Sequence, residues 1–475
     1  MVRTRFAPSP TGYMHIGNLR TALYAYLFAK ANNGKFILRI EDTDTERTIE
    51  GAIDIIYKTL KQAGIQYDEG PDIGGPFGPY IQSQRKDIYN HYAHKLVETG
   101  AAYYCFCSKE RLAKLQESGA SKYDKYCLRN YSLEQARAKI AAGESYVVRQ
   151  NIPEQGVSSF TDLVFGEISV DYKDLEDNIL LKSDGMPTYN FANVIDDHLM
   201  QINYVIRGVE YLTSTNKYNL IYDAFGWERP NYIHLQPIMK DSARKLSKRT
   251  GDASYDDFIA KGYLSQAIVN YIALLGWNPK DNREKLSMQE LIEAFSIEGI
   301  SKSPSIFDEP KMRWLNSLYI KEMPPQDFAK ASKPYYDALG LKDKFDYAAL
   351  DGLLQSRVEI LSDIPEKLKF LNEFDNFDLG LFVNKKLKTD KALAKQILPK
   401  LIKRLEQIET FDNSVLYENL KDFAAEINLK SNALFWIMRV ALTGAQVTPG
   451  GATEMAALFG KERSLKRLQA SYNRL

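Results

Sequence analysis

Cysteine is scarce: three in 475 residues, two of them in the tetrapeptide YCFC at 104–107. So few thiols cannot build a disulfide framework, and they point to a reducing compartment, the cytoplasm. Long apolar runs are missing. None approaches the roughly 18 residues that span a bilayer, so no membrane partner is expected. The chain opens on a strand-like run rather than on a basic segment followed by an apolar one, so no secretory leader is expected. Charge of one sign is missing too. Lys and Arg number 62 against 61 Asp and Glu, a net charge of +1. A nucleic-acid partner must therefore show itself in local patches rather than in overall charge. There is no internal repeat and no low-complexity tract. What remains is an ordinary soluble composition, 44% hydrophobic and 26% charged, long enough for about two to four domains.

What is present begins at once. Residues 2–7 read as a buried strand. RFAPSPTGYMHIGN (5–18) then crowds prolines and glycines around one histidine. NLRTALYAYLFAKA (18–31) has apolar residues at helical spacing, NNG (32–34) supplies a stop, and KFILRIED (35–42) reads as a second buried strand. The opening is a βαβ unit. TIEGAIDIIYKTLKQAG (48–64) reads as an amphipathic helix. Residues 91–190 are irregular and β-rich, an insertion between two halves of a larger unit. The helix-then-strand pattern returns in TYNFANVIDDHLM and INYVIRGVEY and closes near YIHLQPIM (232–239). From about residue 258 the chain is mainly helical.

The βαβ context gives the Gly/Pro loop a chemical meaning. A helix starting after such a loop presents unpaired N–H groups and a partial positive charge, an anion site. Gly12 and Gly17 remove side chains where a nucleotide could lie on the backbone. The loop carries neither a dinucleotide fingerprint nor a P-loop, so His15 is the candidate donor to a phosphoryl oxygen. A second loop, MKDSARKLSKRTGDAS, sets Lys245 and Lys248 around Ser247, a plausible clamp for a triphosphate. Either loop alone has a bland reading: a structural histidine, an exposed basic turn.

Together the two loops resemble the H-I-G-H and K-M-S-K-S signatures of class I aminoacyl-tRNA synthetases. Asn18 stands in for the second histidine, and Leu246 and Arg249 depart from the second signature. RFAPSPTG, LRIEDTD (38–44), GMPTYNFANVIDDHLM (185–200) and KLSKR are similar to the corresponding stretches of bacterial-type glutamyl-tRNA synthetases. The likeness continues through ALLGW and KMRWLNSLYI to GKERSLKRL, over essentially the whole chain. It implies an α/β plus all-α protein: a Rossmann-type catalytic domain in two halves (1–90 and 191–250) around an inserted acceptor-binding domain (91–190), then a stem-contact domain (251–320) and two helical anticodon-binding subdomains (321–375 and 376–475).

It also implies a reaction, ATP-dependent formation of glutamyl-adenylate and transfer of the glutamyl group to tRNA-Glu, with tRNA-Gln left open as a second acceptor. Mg²⁺ accompanies the ATP. Arg5 suits the substrate's side-chain carboxylate, because a guanidinium is a forked, permanently charged partner. Arg207 is a second arginine for the same pocket, and Glu41 suits the ammonium. Ala7, Ser9, Tyr189 and Asn193 occupy the family's amino-acid-site positions. ATP would lie against His15 and Gly17 with Glu210 toward the ribose, and Lys245, Ser247 and Lys248 at the pyrophosphate end. Positioning and charge neutralisation carry such a reaction, with no protein nucleophile.

In the tail, Arg357 matches an arginine that reads an anticodon base in this family. KKLKTDKALAKQILPKLIKR (385–404) carries eight Lys and Arg against one Asp. Its bland reading is a solvated helix face, its sharper one a surface for phosphates. Cys105, Cys107 and Cys127 leave two readings open: three buried free thiols, or a structural zinc site completed by Tyr123, the position the truncated paralogues use. Arg129 occupies the position where other members place a histidine. Nothing demands more than a monomer. The competing readings are a glutaminyl enzyme, disfavoured by the helical tail, a truncated paralogue excluded by length, an inactive tRNA-binding scaffold, and a small-molecule nucleotidylyltransferase with no use for that tail.

Overall fold

The computed structural model describes residues 1–44, 49–120, 122–246, 254–372, 374 and 376–475. The first strand, Arg3–Phe6, pairs in parallel with Lys35–Leu38, Arg3 opposite Lys35 and Phe6 opposite Leu38. All four residues of the first strand are buried although three are polar, and each polar side chain has a distant partner. Thr4 donates to the Ala25 carbonyl at 2.8 Å, Arg3 holds Glu69 at 2.8 and 3.0 Å, and Arg5 holds Asp197. A strand covered on both faces needs such satisfaction at every position.

The helix joining the two strands runs Ile16–Ala31, two residues earlier than spacing predicts. The His15 side chain caps it, accepting from the Gly17 N–H at 3.0 Å. Gly34 follows where a Cβ would fall 2.3 Å from the Val2 carbonyl oxygen, which is why the stop needs glycine. The second strand is shorter than the expected 35–42. Beyond Leu38 the backbone changes partners: Arg39 N–H donates to Phe6, Ile40 N–H to Tyr80 and Glu41 N–H to Pro8. The next helix is Ala52–Gln62 rather than 48–64, because Gly51 takes a left-handed φ of 77°.

The second half repeats the pattern. Tyr204–Gly208 and Asn231–Leu235 are parallel, Gly208 opposite Leu235. Asn203 donates its N–H to the Arg3 carbonyl at 3.2 Å and its side-chain oxygen accepts from Arg3 N–H at 2.8 Å, seating this pair beside the first strand. Between the halves lie a three-stranded antiparallel sheet (Ala102–Cys105, Val147–Gln150, Ile179–Leu181) and a hairpin, Val157–Asp162 with Gly166–Asp171. The hairpin joins the sheet of the second half at one bridge, Asp162 to Tyr232.

Two compact units result: residues 1–260 with 265–309, and 261–264 with 310–475. The second is helical and carries no ladder strand among its described residues. Phe328, Leu350, Leu401, Leu434, Ile437 and Met455 belong to its core. The basic run resolves into helix Lys391–Glu406, which buries Ala394, Ile397, Leu398, Leu401, Ile402 and Leu405 and turns its lysines outward. The C-terminal Ala452–Arg474 is broken at Gly460, whose φ of 73° and ψ of 168° are not helical. Among the described residues no helix is long and apolar enough to cross a membrane.

Candidate active site

At the carboxyl ends of the parallel strands lies a cleft of about 630 Å³, the place where open α/β sheets bind ligands. Arg5, Ala7, Ser9, Glu41, Tyr189 and Arg207 line one part of it. His15, Gly17, Glu210 and Lys245 line another part. Ten residues chosen from the sequence therefore share one wall. Asn193 does not line it. That residue is 2% exposed, one turn behind Tyr189, and its amide donates to the Tyr189 carbonyl. Ser247 and Lys248 lie outside the described residues.

Beside Arg5 and Glu41 runs a buried ionic ladder that spacing did not reveal. Arg5 donates from Nε to Asp197 at 3.0 Å and from Nη2 at 3.3 Å. Arg39, fully buried, donates to Asp197 at 2.7 Å and to Glu41 at 3.0 Å, and lies 3.7 Å from Asp196. Arg85 donates to Asp196 at 2.8 Å. Burial would raise the Asp197 carboxyl, but Arg5 and Arg39 hold it below its ordinary value. Burial wins at Glu41, which stays above its ordinary value despite Arg39 and Arg5. The signal in the sequence was IDDH (195–198): two carboxylates inside an apolar helix need buried cations.

Arg207 is held differently. It is 5% exposed, yet among the described residues no carboxylate lies within ion-pair distance. Its partners are neutral: His234 Nε2 at 3.2 Å and Thr215 Oγ1 at 2.6 Å, with the Tyr211, Tyr218 and Tyr232 rings 5.0–5.5 Å away. Tyr211, also unforeseen, lines the cleft and packs on Tyr189 at 5.1 Å.

At the other end, the Gly17 N–H donation into His15 Nδ1 sets the ring proton on Nε2. A Cβ at residue 17 would stand 3.1 Å from that Nδ1. At residue 208 a Cβ would fall 2.2 Å from a Glu210 carboxylate oxygen, so the glycine of VIRGVEY lets Glu210 fold over the backbone. Leu246 is buried, and its N–H donates to the Ile238 carbonyl at 3.0 Å. That bond fixes the start of the lysine loop beside the cleft, with Lys245 bridged to Met239.

The three cysteines converge. Their sulfurs lie within 4.8 Å of one another. The Tyr123 hydroxyl is 3.3 Å from Cys105 Sγ and 3.2 Å from Cys107 Sγ, and Cys107 and Cys127 are 3.5 Å apart. Hydrogen bonding from the Cys127 thiol, burial opposing it, pulls Cys105 down to about 4, and the same bond pushes Cys127 up. Three soft sulfurs and one oxygen around a common point fit a tetrahedral zinc ion. Arg129 points away, to Glu154 at 3.0 Å.

The second unit has its own cavity, about 600 Å³, lined by Tyr417, Phe435, Trp436, Arg439 and Glu454 among others. Tyr417 stacks on Phe435 with ring centroids 5.5 Å apart. Arg357 lies at its margin, donating to the Leu353 carbonyl at 2.7 Å, with a guanidinium nitrogen 3.8 Å from Glu454. The aromatic lining escaped the sequence reading, because LFWIMRVALTG serves as a core helix and a cavity wall at once.

Comparison with known proteins agrees with this geometry. A family model described as "tRNA synthetases class I (E and Q), catalytic domain" matches residues 1–314, and an "Anticodon binding domain" model matches residues 327–472. The glutamate–tRNA ligase of Clostridium tetani is 52% identical, the alignment covering 100% of this chain and 98% of that protein. That of Clostridium acetobutylicum is 50% identical over 100% and 99%. The crystal structure of a glutamate tRNA ligase from Elizabethkingia meningosepticum in complex with its amino acid superposes with a TM-score of 0.90 at 33% identity, covering 100% of this chain and 99% of that one. The glutamate–tRNA synthetase of Elizabethkingia anophelis gives 0.89 at 33%, covering 99% of each. The chain belongs to the class I tRNA synthetases of the glutamate and glutamine (E and Q) group, and within it to the glutamate–tRNA ligases.

Proposed function

We propose that this chain activates L-glutamate with ATP and transfers it to the 3′-terminal adenosine of tRNA-Glu, working in the cytoplasm as a monomer. The observation that carries the substrate choice is Arg207. A buried guanidinium that pairs with no carboxylate among the described residues, in the wall of a cleft, suits an anionic ligand. Arg207 and Arg5 receive the side-chain carboxylate, Glu41 accepts from the ammonium, and Ala7, Ser9 and Tyr189 enclose the chain between them. Asn193 acts from behind, through Tyr189. Glutamine has no charge to offer these arginines and is rejected.

ATP lies against the helix N-terminus. His15 donates from Nε2 to a phosphoryl oxygen, Gly17 lets the nucleotide approach the backbone, and Glu210 faces the ribose. Lys245, with Ser247 and Lys248, holds the pyrophosphate end. Glu210 is the acidic side chain at this end of the described lining; Mg²⁺ accompanying the ATP would supply charge neutralisation at the phosphates. The glutamate α-carboxylate attacks the α-phosphorus in line, and the bond to pyrophosphate breaks. The terminal 2′-hydroxyl then attacks the activated carbonyl and AMP leaves. Positioning and electrostatics supply the rate.

The six-segment division, with the inserted domain meeting the acceptor end and both helical subdomains the anticodon, belongs to the same proposal. Unstacked anticodon bases suit the aromatic cavity of the second unit, and Arg357 at its margin suits a base edge. Cys105, Cys107, Cys127 and Tyr123 would hold a structural zinc. The test is aminoacylation with radiolabelled glutamate, ATP and Mg²⁺, with purified tRNA-Glu and tRNA-Gln in parallel. Charging of tRNA-Glu alone supports Arg357 as a filter. Charging of both keeps the activity and removes that role. Charging of neither by folded protein overturns the proposal.

A further inference from the structure

Arg207 sits at the end of a chain of buried groups that neither the reaction nor the family signatures call for. Its Nε–H donates to His234 Nε2 at 3.2 Å and its Nη2 to Thr215 Oγ1 at 2.6 Å. Thr215 uses its one proton on the Tyr211 carbonyl at 2.8 Å, so toward the other two it presents lone pairs only. His234 Nε2 faces the Arg207 Nε–H, which can only donate, and Nδ1 faces Asp162 Oδ2, so Nε2 is the acceptor and the ring proton sits on Nδ1. Nδ1 donates to Asp162 Oδ2 at 2.7 Å, and the His234 backbone N–H donates to the same oxygen at 3.1 Å. The other Asp162 oxygen accepts from the N–H groups of Val164 at 2.9 Å and Phe165 at 2.8 Å. Both side chains are 0% exposed. Asp162 is thus locked by four hydrogen bonds, and the imidazole has one orientation and one tautomer.

The choice of a neutral acceptor is informative. A carboxylate at residue 234 would hold Arg207 more firmly but would neutralise it. A neutral imidazole orients the guanidinium and leaves its charge for a ligand. Two of its nitrogens are turned inward, so the remaining Nη1 edge is the one available to the cleft that Arg207 lines. We propose that Asp162 and His234 are positioning residues for side-chain selection: the Asp162–His234 pair fixes the rotation of Arg207, so that a carboxylate rather than an amide satisfies its remaining edge. This inference rests on the reading of Arg207 as a glutamate ligand.

The test uses the full chain with its tRNA and four variants, R207A, H234L, H234Q and D162N, reading KM for glutamate, KM for ATP, kcat and the charging ratio of glutamate to glutamine. Misplacing a binding group by about 1 Å costs up to about 100-fold. H234L is therefore expected to raise KM for glutamate about 10- to 100-fold and to lower the charging ratio, with KM for ATP unchanged. H234Q restores most of the loss, because an amide oxygen can replace Nε2 as acceptor. D162N keeps the shape of the carboxylate but offers N–H to Nδ1. It moves the ring proton to Nε2, sets a donor against a donor, and reproduces the H234L effect even if H234L itself does not fold. A wild-type glutamate KM in folded H234L or D162N overturns the inference, as does H234Q no better than H234L or a parallel rise in both KM values. R207A separates the two levels. If its glutamate KM is unchanged, the pocket reading itself fails. If R207A is impaired while H234L and D162N are not, only the positioning role fails.

Discussion

Arg5→Ala separates substrate binding from folding, because the structure shows what would be left behind. Arg5 is 4% exposed and shares Asp197 with Arg39. Without Arg5, the Asp197 Oδ1 keeps its 2.7 Å bond from Arg39, while Asp197 Oδ2 and the Ile206 carbonyl each lose the donor Arg5 gave them. Removing one partner of a buried ion pair costs about 3–5 kcal/mol of stability, less where, as here, Arg39 still holds the carboxylate, so the melt is read beside the kinetics. The functional loss is separate. Truncating one partner of a buried, hydrogen-bonded charge pair costs about 2–5 kcal/mol of binding. At about 1.4 kcal/mol per decade, kcat/KM for glutamate should fall by about 30- to several thousandfold. ATP is proposed at the other end of the cleft, so its KM should stay within about twofold, as a group far from a ligand without shared partners acts independently. Steady-state aminoacylation with each substrate varied in turn, alongside a thermal melt, measures all three. A folded R5A enzyme with its glutamate KM within threefold of the parent would falsify the pocket assignment.

Other outcomes follow from single features. Glu41 is held above its ordinary pKa by burial, so it takes up a proton earlier than an exposed carboxylate as pH falls. KM for glutamate should then rise on acidification as the acceptor for the ammonium is lost. Stability runs the other way: the folded state binds this proton more tightly, so the contribution from Glu41 is full below its unfolded pKa and is lost as pH rises through the raised one. Its disappearance in Glu41→Gln, read by melts across pH, checks the sign. Protein purified without chelator should contain about one zinc per chain by elemental analysis, and Cys107→Ser should lose it; metal near zero in well-folded protein leaves the three thiols purely structural. Gly17→Val places a Cβ 3.1 Å from His15 Nδ1 and should lower kcat while costing about 1 kcal/mol of helix capping; an unchanged kcat refutes the capped-histidine geometry. Arg357→Ala should raise KM for tRNA-Glu by about 5- to 150-fold, the 1–3 kcal/mol of one base-edge contact, with both small substrates unaffected.

Much of this was legible from the chain alone. The strand, Gly/Pro loop and helix of the first 31 residues were readable because their signals are local: apolar spacing, glycine at a close approach, a stop at NNG. The ten motif residues that line the cleft were readable as candidates because each carries its chemistry in its type. What escaped was of two kinds. Boundaries shifted where a side chain caps a helix, as His15 does, or where backbone partners change after Leu38. Walls built from core helices, such as Trp436 and Phe435, gave no sign in sequence that they also line a cavity, because an aromatic at helical spacing looks the same whether it faces a core or a void.

The sequence by itself determined the reaction class, the helix N-terminus proposed for ATP and the arginines proposed for an anionic substrate, because those depend on residue identity and on local spacing. Only the tertiary structure decided how each arginine is held. Arg5 meets Asp197 across 192 positions, Arg39 meets it across 158, and Arg207 is turned by a histidine 27 residues on that is itself fixed by Asp162, 72 residues before it. Buried charges must be balanced by whatever the fold brings within a few ångströms, and that neighbourhood exists only once the two halves of the sheet have come together.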